Sequence, residues 1–200
     1  MTAVPFTEGF RGLARTVRHL PDRVLHHFRR LIARSSLRRA PAPSSILFLC
    51  HGNICRSPYA EHVLRIALPP DLRAKVRAES AGFVGPGRTA PEEALTVAGA
   101  RRVDLSAHVS RLIEVGRLSD HDLVLVMDPA QRRTVMNYVT GSRPLVIVLG
   151  DLDPCPIETR AIRDPIDQTR EVFEACYDRI GRCVAELVRI STWTRPATGR

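Results

Sequence analysis

Segments typical of strands alternate along this chain with segments of helical periodicity, and this alternation limits the fold more than any other feature. The sequence predicts strands over residues 46–49, 75–80, 122–128 and 144–151. Helical patterns follow them at about residues 58–67, 91–102, 129–139 and 168–190. This order predicts an α/β fold, a three-layer sandwich in which a four-stranded parallel sheet is flanked by helices. The site of such a fold lies at the C-terminal ends of its strands.

The composition is that of an ordinary globular protein with reduced thiols. Two hundred residues suit one domain with an appendage, and no apolar run approaches the roughly 18 residues of a membrane helix. The N-terminus lacks the apolar core of a secretory signal. Five cysteines cannot all pair with one another, and none forms a zinc-binding pair. We therefore expect a cytoplasmic protein with neither a metal nor another cofactor.

The positive charge is concentrated at the N-terminus. Residues 1–45 hold nine arginines against Glu8 and Asp22, a net charge of +7, whereas the other 155 residues have a net charge of only +2. The high isoelectric point therefore belongs to this segment, and it gives no reason to expect a nucleic-acid partner for the main domain.

Residues 1–44 form a basic amphipathic extension that ends in a Pro- and Ser-rich linker at 38–45. We expect Pro21 to divide its helical pattern into two short helices. Three interpretations remain open for residues 1–40: an arm that is weakly ordered or packed on its own domain, a contact with a membrane surface or partner, and an organelle-targeting peptide. The main domain is predicted over 45–192, with a tail at 193–200.

A cysteine followed six positions later by an arginine occurs three times in this arginine-rich chain, so the spacing alone means little. Two of the matches, at Cys176 and Cys183, lie inside the closing helix, on its apolar stripe. The third, Cys50 and Arg56, lies between an apolar strand and a helix. Gly52 permits a tight turn, and Asn53 tolerates a left-handed backbone.

This third match has the chemistry of an anion cradle. Ser57 is predicted to cap the helix, with Pro58 in its first turn. The amides of residues 51–56 can then converge on one anion, and Arg56 offers a planar pair of donors to phosphate oxygens. The same positive field would stabilise a thiolate at Cys50, which could attack phosphorus. A nucleotide site is disfavoured because the chain lacks GxxxxGK[ST].

The stretch "CHGNICRSP" resembles the phosphate loop of the low-molecular-weight protein tyrosine phosphatases. Four further stretches match the family in order, at 78–83, 103–108, 122–128 and 163–167. The resemblance implies hydrolysis of phosphomonoesters, most plainly protein phosphotyrosine, through a phosphocysteine at Cys50. It further implies a phosphotyrosine protein as partner, with a bacterial tyrosine kinase as one candidate. The loop residues expected to bind substrate are His51, Gly52, Asn53, Ile54, Cys55 and Ser57, and the catalytic ones are Cys50, Arg56 and Asp164.

The choice of Asp164 depends on the resemblance. Asp-Pro pairs begin at Asp128, Asp153 and Asp164, and chemistry alone does not choose among them as the general acid. The family's acid lies in such a pair just before the final helix, which is the position of Asp164. Asp153 is the second candidate.

Other roles also follow from the resemblance. Asn53 and Ser57 should hold the shape of the loop, with the Ser57 hydroxyl also able to bond the Cys50 thiolate and Ser80 acting through Asn53. Cys55 either forms a reversible disulfide with Cys50 or fills space in the loop. The family's usual aromatic after the Asp-Pro pair is replaced by Ile166, so Phe83 is a candidate for the wall beside a phosphotyrosine ring.

Two alternative functions share the fold. A thioredoxin-coupled arsenate reductase needs further cysteines after the strand at Leu123–Met127, and that stretch has none. A non-catalytic phosphoprotein-binding module would have lost Cys50, Arg56 or Asp164, and all three are present.

The N-terminal extension is treated as an appendage. Deletion of residues 1–43 is therefore expected to leave turnover of small substrates largely intact.

Overall fold

The sheet has four parallel strands. The computed structural model describes residues 7–139, 141 and 143–191, with side chains from residue 20 onward. The strands are β1 (Ser45–Cys50), β2 (Arg77–Gly82), β3 (Leu123–Val126) and β4 (Leu145–Val148), in the spatial order β2-β1-β3-β4. The predicted four-stranded parallel sheet is therefore confirmed.

The helices occupy both faces of this sheet. They are α1 (Thr7–Arg39), α2 (Arg56–Ala67), α3 (Pro70–Arg73), α4 (Glu92–Gly99), α5 (Pro129–Tyr138) and α6 (Arg170–Ile190), with 3₁₀ turns at Val115–Asp120 and Leu149–Leu152. The sequence pattern missed α3 and the first 3₁₀ turn, because elements this short show no periodicity, and it wrongly extended the fourth strand over residues 149–151 of the second turn. None of the helices among the described residues is long and apolar enough to cross a membrane.

Side chains that alternate along β1 enter two separate hydrophobic clusters. Ile46, Phe48 and Cys50 belong to the cluster that α2, α4 and α6 cover, whereas Leu47 and Leu49 belong to the cluster on the α5 side. A central strand that is buried on both faces has to be apolar at successive positions, which explains why residues 46–49 are all apolar. This geometry also places the Cys50 side chain on the α2 face of the sheet.

The N-terminal segment forms one continuous helix, so the prediction of two short helices separated at Pro21 is wrong. A proline removes one backbone hydrogen bond from a helix. The turns that follow it are held by contacts with the domain: Ala33 and Leu37 are buried in the larger core cluster, and Arg30 donates to Glu186 at 2.9 Å. In the described residues the arm is thus packed on its own domain.

Candidate active site

The loop between β1 and α2 surrounds the Cys50 thiol. Cys50 is only 2% exposed, and its Sγ accepts a hydrogen bond from the backbone N–H of Asn53 at 3.2 Å. The Ser57 hydroxyl lies 3.0 Å from the same sulfur. Helix α2 begins at Arg56, immediately after the loop, so its N-terminal amides add a positive field where the strand ends.

Asn53 fixes the shape of this loop. Its φ of 52° is left-handed, as predicted, and its side chain is fully buried. The Nδ2 group donates to the hydroxyls of Ser57 at 2.9 Å and Ser80 at 3.0 Å, while Oδ1 accepts from the backbone N–H of Arg111. The expected contacts of Asn53 with Ser57 and Ser80 are therefore present.

Ser57 does not cap the helix, so that prediction is wrong. The N-cap position belongs to Cys55, whose side chain makes no capping hydrogen bond. Ser57 is the second residue of α2, and its hydroxyl is occupied by Asn53, by the Cys50 sulfur and by the carbonyl of Ala81. These tertiary partners replace the local capping bond that the sequence suggested.

Two glycines allow a close approach to the loop backbone. A Cβ atom on Gly82, the last residue of β2, would lie 2.8 Å from the backbone nitrogen of Asn53 and 2.9 Å from the carbonyl oxygen of His51. A Cβ on Gly52 would lie 2.6 Å from the flexible guanidinium of Arg88. Gly82 therefore restricts the site more severely than Gly52 does, because backbone atoms cannot move aside.

Arg56 links the loop to Asp164. Its guanidinium is buried, donates to the carbonyl of Ile162 at 3.1 Å, and forms an ion pair with the Asp164 carboxylate. The buried Nε of Arg56 has no hydrogen-bond partner among the described residues. Burying an N–H donor without an acceptor costs free energy. An oxyanion bound beside Arg56 would supply the acceptor for this Nε.

The segment before Asp164 is held from several directions. The Ile162 N–H donates to the carbonyl of Met127, the residue after β3, at 2.8 Å. Arg179 on α6 donates to the carbonyls of Ala161 and Thr159, each at 2.9 Å. The Asp164 carboxylate accepts from the N–H of Ile166 at 3.3 Å. This anchoring brings Asp164 to the loop although 108 residues separate it from Arg56.

The other two Asp-Pro aspartates have different surroundings. Asp153 is 1% exposed and forms ion pairs with Arg179 and Arg182. These contacts give it a role in stabilising the fold. Asp128 caps α5 by accepting from the N–H of Gln131 at 2.9 Å. Of the three carboxylates, Asp164 is the one in contact with Arg56.

The remaining cysteines near the loop are buried thiols. Burial raises the pKa of Cys55 far above its ordinary value, and it raises that of Cys176 to about 12. Both thiols are therefore neutral at physiological pH. Cys183, like Cys176, belongs to the apolar core. The disulfide between Cys55 and Cys50 stays a prediction, and all five cysteines are free in this structure.

Two adjoining cavities lie above Cys50. The inner one, of about 70 Å³, is lined by Cys50, His51, Gly52, Ile54, Cys55, Arg56, Arg88, Asp164 and Ile166. This is several times the roughly 10–15 Å³ that a cavity needs to hold one water molecule, so a small anion can enter it. The outer cleft, of about 700 Å³, has Phe83 and Tyr138 in its wall. Phe83 thus lies where the sequence suggested, whereas Tyr138 was not foreseen.

Sequence reasoning also missed two residues that hold the loop backbone. Arg88 donates to the Gly52 carbonyl at 3.1 Å, and the His108 Nε2 lies 2.7 Å from the Asn53 carbonyl oxygen. His108 ends one of the stretches that match the family, and that position was the available signal. Arg88 lies outside those stretches, so the resemblance gave no signal for it.

A buried cysteine in a strand–loop–helix anion cradle, beside a buried arginine and a carboxylate, defines a phosphate-binding α/β protein. The sequence model of the family described as "Low molecular weight phosphotyrosine protein phosphatase" matches residues 45–193. The chain belongs to this family.

Individual relatives agree with this assignment. The chain is 36% identical over 135 residues to the probable low-molecular-weight protein-tyrosine-phosphatase AmsI of Erwinia amylovora, a match over 67% of this chain and 88% of AmsI. It is 32% identical over 139 residues to Wzb of Salmonella typhi, over 70% of this chain and 88% of Wzb.

The crystal structure of Erwinia amylovora AmsI superposes with a TM-score of 0.66 at 31% identity, over 76% of this chain and 95% of AmsI. The Escherichia coli K30 Wzb structure in complex with sulphate superposes with a TM-score of 0.65 at 26% identity, over 74% of this chain and 97% of Wzb.

Proposed function

We propose that this chain, a protein-tyrosine phosphatase by family, hydrolyses protein phosphotyrosine through a phosphocysteine at Cys50, with Asp164 as the general acid and base. The observation that supports this most directly is the contact of Arg56 with Asp164, because it joins the proton donor to the anion cradle. Cys50, Arg56 and Asp164 then lie around one small cavity.

In the first step the phosphoryl group enters the cradle of residues 51–56. The loop amides and Arg56, including its unpartnered Nε, bind the non-bridging oxygens. The Cys50 thiolate attacks phosphorus, so that an S–P bond forms while the P–O bond to the tyrosine breaks. Asp164 donates a proton to the departing phenolate oxygen, which leaves as tyrosine.

In the second step water hydrolyses the thiophosphate ester. The Asp164 carboxylate accepts a proton from the attacking water, a P–O bond forms, and the S–P bond breaks to release inorganic phosphate. The hydroxyl of Ser57, 3.0 Å from the sulfur, can donate to the returning thiolate. The Asn53 N–H donates to the same atom.

The surroundings of the cradle favour an aromatic phosphate ester. Ile54 and Ile166 line the inner cavity, and Phe83 and Tyr138 line the outer cleft. These apolar side chains can contact a phenyl ring that a phosphoserine does not have. The partner is a phosphotyrosine protein, with a tyrosine kinase as one candidate, and a cytoplasmic location is part of the same proposal.

A panel of matched phosphopeptides tests this specificity. We expect kcat/KM for a phosphotyrosine peptide to exceed that for the phosphoserine analogue by roughly tenfold or more, the scale that apolar pocket contacts reach. Phe83→Ala should reduce that ratio, whereas Val109→Ala, at an exposed position outside the cleft, should not. Equal turnover of both peptides would contradict the tyrosine assignment. Arsenate-dependent NADPH oxidation coupled to thioredoxin would favour the reductase alternative.

A further inference from the structure

Helix α1 turns a mixed polar and apolar face toward the domain and leaves most of its large apolar side chains exposed to solvent. His26, Ala33 and Leu37 are buried against the domain. The exposed side chains, by contrast, include six large apolar ones: Leu20, Val24, Leu25, Phe28, Leu31 and Ile32. Surface helices ordinarily bury their large apolar side chains, so the exposure of these six departs from the usual pattern.

Polar contacts hold the inner face to the domain beside the buried Ala33 and Leu37. The His26 Nε2 lies 3.0 Å from the carbonyl oxygen of Asp153, and Arg30 pairs with Glu186 at 2.9 Å. Asp22 accepts from the backbone N–H of Arg160 at 3.0 Å. These contacts determine which side of α1 faces the domain. The exposed apolar side chains therefore face solvent as a consequence of the fold.

The outward residues form a continuous stripe. Leu20, Val24, Phe28 and Leu31 follow one another at intervals of three or four positions, so they lie on one side of the helix. Val24 and Phe28 in its centre are 68% and 62% exposed. The same spacing continues N-terminally in the sequence through Phe10, Leu13 and Val17.

The charges around this stripe are positive. Arg23 is exposed within the span of the stripe, and Arg38 and Arg39 are exposed about two turns beyond its end. Residues 7–39 contain two acidic side chains, Glu8 and Asp22, and Asp22 is turned inward against Arg29 and Arg160. A second copy of the helix would therefore bring arginines together with few carboxylates to pair them. The complementary surface is apolar within and negatively charged at its boundary.

We propose that the exposed stripe of α1, Leu20 to Ile32, binds the surface of a membrane that contains anionic lipids. The apolar side chains enter the boundary between headgroups and acyl chains, while the neighbouring arginines contact lipid phosphates. The helix lies in the plane of the surface, and the inward contacts hold the phosphatase domain against its other side. This inference is independent of the proposed catalytic mechanism.

Vesicle co-sedimentation of the full chain tests the proposal. Vesicles of phosphatidylcholine with about one third phosphatidylglycerol should bind the protein, and pure phosphatidylcholine vesicles should bind it much less. Binding to the anionic vesicles should weaken as salt shortens the Debye length from about 10 Å at 0.1 M to about 3 Å at 1 M. Val24→Asp and Phe28→Asp, each tested singly, should lower the partition coefficient about tenfold or more.

The matched control is Ile66→Asp, which introduces the same charge at an apolar position of α2 that is 55% exposed. It should bind vesicles as the unmodified chain does. Turnover of p-nitrophenyl phosphate, measured on the same samples, should be unchanged in all three variants, which verifies that they fold. Equal binding to both vesicle types, no binding, or loss with Ile66→Asp as well would overturn the proposal. So would self-association that the stripe variants abolish, since the face would then join two copies of the chain.

Discussion

Asp22 and Arg160 are 138 positions apart, yet the Asp22 carboxylate accepts a hydrogen bond from the backbone N–H of Arg160 at 3.0 Å. The N-terminal helix thereby contacts the segment that leads to Asp164. The Arg160 side chain in turn binds Asp151 through two hydrogen bonds of 2.6 and 2.7 Å. The prediction that turnover of small substrates survives deletion of residues 1–43 stays a prediction, and these contacts connect that segment to the proposed acid.

Substitution of Asp22 by alanine should weaken both the fold and the proposed acid step. Loss of its hydrogen bonds should lower the free energy of unfolding by about 1–3 kcal/mol, as measured by urea denaturation. We expect kcat to fall more for a phosphotyrosine peptide than for p-nitrophenyl phosphate, because the poorer leaving group depends more on protonation. Asp71→Ala, at an exposed carboxylate on α3, should change neither quantity. Unchanged stability and unchanged kcat in Asp22→Ala would contradict a positioning role.

The same carboxylate should contribute to acid unfolding. Burial acts to raise the pKa of Asp22, but the Arg160 N–H and the Arg29 guanidinium together hold it below its ordinary value of 3.8. Its stabilising effect is therefore complete above pH 3.8 and is lost as the pH falls through the lower pKa of the folded state. Asp22→Asn should flatten the acid limb of stability plotted against pH. An identical slope in the two proteins would show that Asp22 does not contribute.

Gly82→Ala should disable the phosphate loop. Its new Cβ would meet the backbone of residues 51–53 at less than 3.0 Å and displace the loop, a misplacement that can cost about 100-fold in turnover. Gly181→Ala is the matched control, because open space surrounds that position in α6. It should retain activity and gain about 0.5–1 kcal/mol of stability. Full activity in Gly82→Ala would contradict the close approach of β2 to the loop.

Alanine variants of the two candidate acids, Asp164 and Asp153, should lose different properties. Asp164→Ala should remain folded and lose about 10²–10⁴-fold in kcat. Asp153→Ala should instead lose about 3–5 kcal/mol of stability, because the largely buried Arg179 guanidinium would lose its charged partner. Parallel measurement of kcat and urea denaturation separates them. A stable Asp153→Ala variant that turns over more slowly than Asp164→Ala would reverse the assignment.

The fold could be predicted from the sequence because buried parallel strands have a strong local signature. The run Ile46–Leu49 is apolar at every position, and both of its faces are covered. The path of α1 could not be predicted, because Pro21 is a local helix breaker whereas the contacts of Asp22 and Ala33 are made with residues far along the chain.

The candidate site could be predicted only in part, because some of its contacts join residues that are far apart in the sequence. Cys50, Asn53 and Arg56 lie on one loop, and their relation is visible in nine consecutive residues. The contact of Arg56 with Asp164 depends on the complete fold, and sequence chemistry alone left three aspartates open. The local pattern predicts a capping role for the Ser57 hydroxyl, whereas its contact with the Cys50 sulfur follows only from the family resemblance, and the structure shows this contact and one with Asn53.

The central claim is that Cys50 becomes phosphorylated during turnover, and acid quenching followed by peptide mass spectrometry tests it most directly. The protein should be mixed with p-nitrophenyl phosphate and quenched during steady-state turnover. We expect one phosphoryl group on the peptide that contains Cys50, and more of it in Asp164→Ala, because water activation is slowed while nitrophenolate leaves without much help. Cys50→Ser should show neither a phosphocysteine nor turnover. Sustained turnover by Cys50→Ser, or a phosphoryl group on another cysteine, would contradict the account.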